Sequence, residues 1–292
     1  MRLGAIVLQT RPWRELGAVF RSVEDVGFDV AYVADHLTHP SIAGRWLGDA
    51  WVTLAATASV TSRLDLGTLV ASAAYRGPVP LARAAATLDD VLGDRFVLGL
   101  GAGSPFCAAA DRGAHPTARE MADRFADVVE GLTHVWDGAT EWSGRSLGFE
   151  GVETLATPPG RTRPRLMLAA HGPRGFELVA RHADAWSSYG GPASVGLDPD
   201  DYWRLVNRQS SAVSRACEVS GRDPDGLRRS LLLGFGTIRP LDGAAQLQEC
   251  CERAERAGFD ELVVYWPDGE PGSRFWADPD VVLDAVAAAR RS

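Results

Sequence analysis

The chain of 292 residues contains no lysine, and all 30 of its basic residues are arginine. This absence excludes Schiff-base catalysis by lysine, a lysine general base and the lysine-dependent phosphate-binding loop of many nucleotide hydrolases. The net charge of -8 is mild, and no basic stripe runs along the sequence. We therefore expect neither nucleic acid nor an anionic membrane as a partner.

Cysteine is scarce as well, and long apolar runs are absent. The four cysteines show no metal-binding spacing, and the adjacent pair Cys250 and Cys251 falls in a predicted helix, which favours a place in the core. No apolar run reaches the length of a membrane-spanning helix, and the short run at residues 3–8 carries no cleavage signature. From these absences we expect a soluble, cytoplasmic protein.

What the chain does contain is an alternation of strand patterns and amphipathic helix patterns. The strand patterns lie at residues 2–9, 30–34, 64–70, 96–100, 165–170, 183–187, 230–235 and 261–266. Eight strands that alternate with helices favour a closed, parallel (β/α)8 TIM barrel of the α/β class. A chain of this length, with 46% hydrophobic residues, can form such a barrel as a single domain over residues 1–292. The active site of these barrels lies where the strands end.

One segment, residues 137–164, interrupts the alternation. It is rich in glycine, threonine, proline and arginine, and it places Trp142 and Phe149 on either side of a turn at Gly144. We therefore predict an inserted hairpin and loop between the fourth and fifth strands of the barrel.

The most distinctive stretch is residues 94–104, a short apolar strand that leads into a glycine-rich turn. Gly99, Gly101 and Gly103 stand at alternate positions, so the backbone there could approach a ligand closely, or the turn could serve packing alone. The stretch is not a dinucleotide-binding fingerprint, because Ser104 stands where the third glycine should be. The helix after it also leads into the insertion rather than into a strand that ends in an acidic residue.

Five short segments match, in order, the strand ends of a known family. They are Tyr-Val-Ala-Asp-His at 32–36, Leu-Gly-Thr-Leu-Val at 66–70, Arg-Phe-Val-Leu-Gly-Leu-Gly-Ala-Gly-Ser at 95–104, Ala-Ala-His-Gly-Pro at 169–173 and Ala-Asp-Ala-Trp at 183–186. On these segments the chain resembles the bacterial luciferase-like family of flavin monooxygenases and of oxidoreductases that use the deazaflavin coenzyme F420. The resemblance covers most of the chain and implies a (β/α)8 barrel with an insertion, which agrees with the strand count.

The resemblance also implies which residues bind the cofactor, whose ring would lie over the mouth of the barrel. The third strand of the family commonly carries a non-prolyl cis peptide, and residues 68–71 match that region. The helix that begins after the fifth strand suits the cofactor phosphate, through its free N–H groups and its arginine. The implied cofactor-binding residues are Thr68, Leu69, Val70, Ala71, Gly101, Ala102, Gly103, Ser104, His171, Gly172, Pro173 and Arg174.

His36, at the end of the second strand, is the predicted catalytic residue. A neutral imidazole near the ring could donate or accept a proton as hydride moves, and Asp35 would orient it or a neighbouring group. The alternative is a histidine that only packs in the barrel wall. Asp35, His36 and His39 could also suggest a metal, but their spacing is weak and the first strand supplies no histidine, so we predict no metal site.

We therefore expect an oxidoreductase that transfers a hydride between coenzyme F420 and a small organic substrate. The alternatives are an FMN-dependent monooxygenase and a non-catalytic flavin-binding relative, because Ser104 stands where the sugar-phosphate dehydrogenases of the family carry an acidic residue. The expected partner is a small-molecule substrate, and a homodimer is left open. Aromatic residues near the strand ends predict an apolar substrate region, formed by Trp46, Tyr75, Phe106, Trp186 and Trp266.

Overall fold

The computed structural model describes residues 1–270, 273 and 275–290. Parallel strands form the centre of the molecule: β1 (Arg2–Ile6), β2 (Val30–Val33), β3 (Asp65–Thr68), β4 (Ala71–Ser72), β5 (Phe96–Gly101), β8 (Arg165–Ala169), β9 (Ala185–Ser188), β10 (Arg228–Leu232) and β11 (Glu261–Tyr265). A separate antiparallel hairpin pairs β6 (Trp142–Ser143) with β7 (Gly148–Phe149).

The helices lie outside these strands. They are α1 (Trp13–Val26), α2 (Ala50–Thr57), α3 (Pro78–Leu92), α4 (Pro105–Arg112), α5 (Ala118–Trp136), α6 (Pro173–His182), α7 (Pro199–Val219), α8 (Ala244–Arg256) and α9 (Pro279–Ala289). Within the described residues, no helix is both long and apolar enough to cross a membrane.

The strands close into a barrel in the order β3-β2-β1-β11-β10-β9-β8-β5, and β3 pairs with β5 to complete the ring. The predicted (β/α)8 barrel is therefore confirmed. The hairpin of β6 and β7 lies between α5 and β8, as predicted. The carboxylate of Asp127 on α5 accepts hydrogen bonds from three N–H groups in the turn of this hairpin, those of Arg145, Ser146 and Leu147. Helix α4 was not predicted, although Ser104 and Pro105 supply a typical N-cap and first helical residue.

Two apolar layers hold the barrel together. Alternate strand residues such as Leu98 and Leu100 face the helices, while Val97 faces the barrel axis. At the amino-terminal end of the strands the interior is closed by Glu261, which accepts hydrogen bonds from Tyr32 (3.0 Å) and Ser230 (2.8 Å). Burial raises the pKa of Glu261 and that of Tyr32. This end also holds a cavity of about 270 Å³, on the opposite side of the barrel from the catalytic face.

The third strand of the barrel is interrupted, which corrects the predicted continuous strand over 64–70. Gly67 pairs with Val97, and the next pair is Ala71 with Leu100. The chain therefore advances four residues on the β3–β4 side while it advances three on β5. This is a bulge between β3 and β4, and it contains a cis peptide bond between Leu69 and Val70.

The glycines of β5 are explained by this bulge. A Cβ on Gly99 would lie 2.0 Å from the carbonyl oxygen of Thr68, and one on Gly101 would lie 2.7 Å from Cγ2 of Val70. The hydroxyl of Thr68 also donates to the Gly99 carbonyl oxygen (2.7 Å). The alternate glycines therefore accommodate a neighbouring strand that approaches more closely than a side chain would allow.

Gly99→Ala should lower the free energy of unfolding by about 3 kcal/mol, at the upper end for an overpacked core, because its Cβ has no room beside Thr68. In a protein of this size that loss corresponds to several degrees in Tm, measured by calorimetry. Gly226→Ala is the control, since Gly226 is exposed and a Cβ there would meet nothing within 4 Å. Equal Tm values for the two variants would contradict the close contact.

Candidate active site

The loops that follow several barrel strands meet at the carboxyl-terminal mouth of the barrel. The loop after β2 contacts the β3–β4 bulge, since the N–H of Ser72 donates to Oδ2 of Asp35 (3.2 Å). The same loop contacts α4, since Nδ1 of His36 lies 3.4 Å from Sγ of Cys107. The turn after β5 packs against Ser72, whose Oγ would lie 2.0 Å from a Cβ on Gly103. The predicted residues that these contacts bring together are 35–36, 68–71 and 101–104.

The buried carboxylate of Asp35 forms an ion pair with the partly buried Arg76, a residue that the sequence did not single out. Nε and Nη2 of Arg76 bind the two carboxylate oxygens at 2.6 and 2.8 Å, an arrangement that fixes both side chains. The guanidinium lies 5.2 Å from the ring centres of both Trp51 and Tyr75. Burial acts to lower the pKa of Arg76, but Asp35 outweighs it, so the pKa is raised. Among the described residues, Asp35 makes no hydrogen bond to His36, and the group it orients is Arg76.

His36 lies at the mouth, partly buried, with its Nδ1 edge turned towards α4. Burial lowers the pKa of His36, the nearby His39 lowers it further and Asp35 opposes both. The two histidine rings lie 5.4 Å apart. Within the described part of the chain Nε2 of His36 has no hydrogen-bond partner, and it is not among the fully buried atoms. The lowered pKa of His36 favours the neutral imidazole near pH 7, and its Nε2 is accessible to solvent.

The β3–β4 bulge forms one apolar wall of the mouth. Leu69 and Val70 join the apolar cluster of the barrel interior, with Leu8 from the loop after β1 beside them. Gly101 ends β5 beside this wall, and Gly103 in the turn after it has a positive φ of 82°, which favours glycine. The space beside both glycines is filled by Val70 and Ser72, so they serve to bring the turn close to the bulge and β4.

Ser104 has a structural role at the end of this turn. Its hydroxyl accepts the N–H of Phe106 (3.2 Å) and so caps helix α4. Ser104 thus starts a helix that carries Cys107 towards His36.

His171, on the opposite side of the mouth, is a second neutral histidine. Burial lowers its pKa to about 4. Its Nε2 accepts the N–H of Tyr189 at 3.5 Å, and the two rings meet edge to face, 4.6 Å apart. Tyr189 belongs to the interior cluster and also contacts Phe235, with 5.8 Å between ring centres. A protonated His171 is therefore excluded near neutral pH.

Helix α6 begins directly after His171. Gly172 is its N-cap, with no side-chain cap and with extended backbone angles, and Pro173 occupies the first helical position. A Cβ on Gly172 would meet nothing within 4 Å, so open space faces the free N–H groups of the first turn. Arg174 is 55% exposed and pairs with Asp123 at 2.5 Å, which holds its guanidinium beside this helix start.

The predicted substrate residues separate into two groups. Tyr75 and Phe106 lie on the His36 side, where the Phe106 ring is 6.2 Å from that of His39, and Trp46 is a highly exposed residue of the loop after β2. Trp186 is fully buried and packs against Phe176 and Phe259, in the layer between strands and helices. Trp266 packs outward too, against Phe28. The structure does not bring these last two tryptophans to the mouth.

Side-chain alternation explains why tyrosines line the mouth in place of those tryptophans. Ala185 and Tyr189 face the barrel interior, and Trp186 lies at the opposite parity. In the same way, Tyr265 faces the barrel interior and Trp266 faces the helices. Counting alternate residues from a known inward position would have found both tyrosines. No sequence pattern marks Arg76 or Cys107, because each acts across a loop. Across the described residues, no group of three or more histidine, cysteine or acidic side chains could hold a metal ion.

Comparison with proteins of known sequence identifies a family and a relative of similar sequence. A family described as luciferase-like monooxygenase matches residues 1–233. A phthiodiolone/phenolphthiodiolone dimycocerosates ketoreductase of Mycobacterium tuberculosis is 31% identical over 248 residues, which cover 77% of this chain and 61% of that protein. The chain thus spans about three fifths of the length of this relative.

Solved structures of similar shape establish the fold. An F420-dependent secondary alcohol dehydrogenase, in complex with an F420-acetone adduct, aligns with a TM-score of 0.79 at 16% identity, and the match covers 99% of each chain. A long-chain alkane monooxygenase aligns with a TM-score of 0.73 at 14% identity, over 100% of this chain and 91% of the other. Because the family match extends over well more than half of the chain, this protein belongs to the luciferase-like monooxygenase family and is an oxidoreductase.

Proposed function

We propose that this protein transfers a hydride between coenzyme F420 and the carbinol or carbonyl carbon of a small apolar substrate. The observation that carries the proposal is His36, a histidine at the mouth of the barrel with a lowered pKa and an accessible Nε2. Interconversion of an alcohol and a ketone moves a proton at oxygen together with a hydride at carbon, so it needs such a group. A ketoreductase and an alcohol dehydrogenase among the relatives support the same chemistry.

The residues at the mouth fit a deazaflavin. Leu69, Val70 and Tyr189 offer apolar surface to a ring, and the start of α6 offers backbone N–H groups to a phosphate, with Arg174 beside them. When bound, coenzyme F420 supplies a carbon that accepts or gives up a hydride. His171 is neutral there and places no full charge next to the ring.

The protein side of the reaction is proton transfer and positioning. In the oxidation of an alcohol, Nε2 of neutral His36 accepts the hydroxyl proton as the hydride leaves the carbon. In ketone reduction the same nitrogen returns the proton to oxygen. Asp35 acts indirectly, because it holds Arg76 and the N–H of Ser72, and so fixes the loop that carries His36 against the bulge.

The substrate side of the mouth is apolar. Leu37 is 49% exposed, Phe106 is 42% exposed and Trp46 is 66% exposed, all in the segments that flank His36. Such exposed apolar side chains beside His36 favour an apolar ligand. The alternative activity, oxygen-dependent hydroxylation with FMN, is supported by the structural likeness to an alkane monooxygenase.

Cofactor choice separates the two activities. The protein should bind coenzyme F420 with micromolar or better affinity and FMN at least tenfold more weakly, about 1.4 kcal/mol. Fluorescence titration of the purified protein with each cofactor measures both constants. Equal affinities, or tighter binding of FMN, would favour the monooxygenase. Tight binding of F420 with no turnover of any alcohol or ketone in a chain-length series would favour a non-catalytic relative.

The phosphate site can be tested at Gly172. Gly172→Asp places a carboxylate among N–H groups that would face an anion, so cofactor affinity should fall about tenfold or more. Asp is also a good N-cap, so the Tm should hold or rise. Gly172→Asn is the matched control, because it caps the helix without a charge and should bind the cofactor more tightly than the Asp variant. Identical dissociation constants for the two variants would rule out an anion at this helix.

His36→Ala should slow alcohol oxidation by about 100-fold or more, the usual scale of general acid–base catalysis. Cofactor affinity should change much less, because the bulge and α6 are untouched. The wild-type rate should rise with pH and then level off, through a pKa below the ordinary histidine value of about 6.5, since burial lowers the pKa of His36 and the neutral form is the base. The variant should lose this step. A stable, cofactor-binding and fully active His36→Ala protein would exclude the proton transfer.

A further inference from the structure

Cys107 is a fully buried residue of α4 whose sulfur lies between two groups of the loop after β2. Its Sγ is 3.4 Å from Nδ1 of His36 and 3.3 Å from the carbonyl oxygen of Thr38. Both distances are within the range for hydrogen bonds to sulfur. The thiol is thus the one side chain that touches the Nδ1 edge of His36 among the described residues.

The hydrogens at this contact can be counted. A thiol has one hydrogen, the Thr38 carbonyl oxygen can only accept, and a neutral imidazole has one N–H. If the thiol donates to Thr38, its sulfur is free to accept the N–H of Nδ1, and both contacts are satisfied. If the thiol donates to His36, the Thr38 oxygen loses its donor and the ring proton moves to Nε2. Only the first arrangement makes two hydrogen bonds.

We propose that Cys107 is a positioning residue, which selects the Nδ1–H form of His36 and so leaves the Nε2 lone pair as the proton acceptor. The assignment rests on the proposed function for its catalytic meaning, but the tautomer is a property of the protein alone. It assigns a role to a thiol that is buried and therefore not a nucleophile.

The helix that carries the sulfur is held firmly against the loop. Ser104 caps its start and Gly113, with a φ of 75°, ends it. Phe106, next to Cys107, contacts His39 on the loop side and His115 on the other, with 6.2 and 6.1 Å between ring centres. Adjacent residues of α4 therefore meet His36 and His39 in turn, which fixes the sulfur relative to the ring.

The tautomer can be read directly by nuclear magnetic resonance. Histidine labelled with ¹⁵N shows which ring nitrogen carries hydrogen, and His36→Ala identifies the signals of His36 among the six histidines. The wild-type protein, free of cofactor, should show Nδ1–H for His36 at pH 7. Cys107→Ala should shift His36 towards Nε2–H, while Cys107→Ser, whose hydroxyl can donate and accept in the same way, should retain Nδ1–H.

Activity gives an independent reading. Cys107→Ala removes one net hydrogen bond to His36, so it should slow alcohol oxidation about fivefold to tenfold. KM and the affinity for F420 should change little. Cys107→Ser should restore most of the rate. The step in the pH profile should shift in Cys107→Ala, because Asp35 and His39 are then the remaining titratable neighbours of His36, with Arg76 and Tyr75 behind Asp35. Cys217→Ala is the control for the loss of another fully buried thiol. It should change neither the tautomer of His36 nor the rate of alcohol oxidation.

The outcomes separate this inference from the proposed function. Nε2–H in the wild-type protein, or Nδ1–H that persists in Cys107→Ala, would overturn the role of Cys107 whatever the activity. Nδ1–H that depends on Cys107 supports it. If that dependence holds while His36→Ala remains fully active, the tautomer assignment stands and the function proposed for His36 falls.

Discussion

The close contact between the β3–β4 bulge and the glycines of β5 is the constraint on which the mouth of the barrel depends. The carbonyl oxygen of Thr68 occupies the space that a Cβ on Gly99 would fill. Because β3 and β5 are the strands that close the ring, this contact sets where the barrel shuts. The bulge also places Leu69 and Val70 in the apolar cluster of the barrel interior. The glycine-rich stretch thus serves the site mainly by admitting a neighbouring strand.

The charges at the mouth are arranged so that the reacting region stays neutral. Asp35 and Arg76 satisfy each other in a bidentate pair, and Arg174 is paired with Asp123. Burial lowers the pKa of His36 and that of His171, so both rings are uncharged at neutral pH. An apolar substrate and a hydride, which moves with its electrons, are better accommodated by such surroundings than by an isolated charge.

The fold was predictable because barrel strands and helices differ in period and because each strand ends in a recognisable turn. The interruption of the third strand was not, since residues 64–70 carry no proline and end on the apolar pair Leu69 and Val70, which indicates the continuation of a strand. Residues that follow strands, such as His36 and His171, were found at the mouth by topology alone. Trp186 and Trp266 were misplaced relative to the mouth because topology fixes the end of a strand but side-chain parity decides which residues face the axis. Arg76 and Cys107 depend on contacts between loops, which no periodic pattern encodes.

The role of the Asp35 carboxylate illustrates how a site residue can act without touching the substrate. Both of its oxygens bind Arg76, and Oδ2 also accepts the N–H of Ser72, so the carboxylate ties the end of β2 to the strand segment just beyond the bulge. On its other side the same loop is tied to α4 through His36, Thr38 and Cys107. His36 is therefore held from two directions, by an ion pair at its backbone neighbour and by a sulfur at its ring. In the function proposed for His36, a proton acceptor held in this way would need little reorganisation when a substrate arrives.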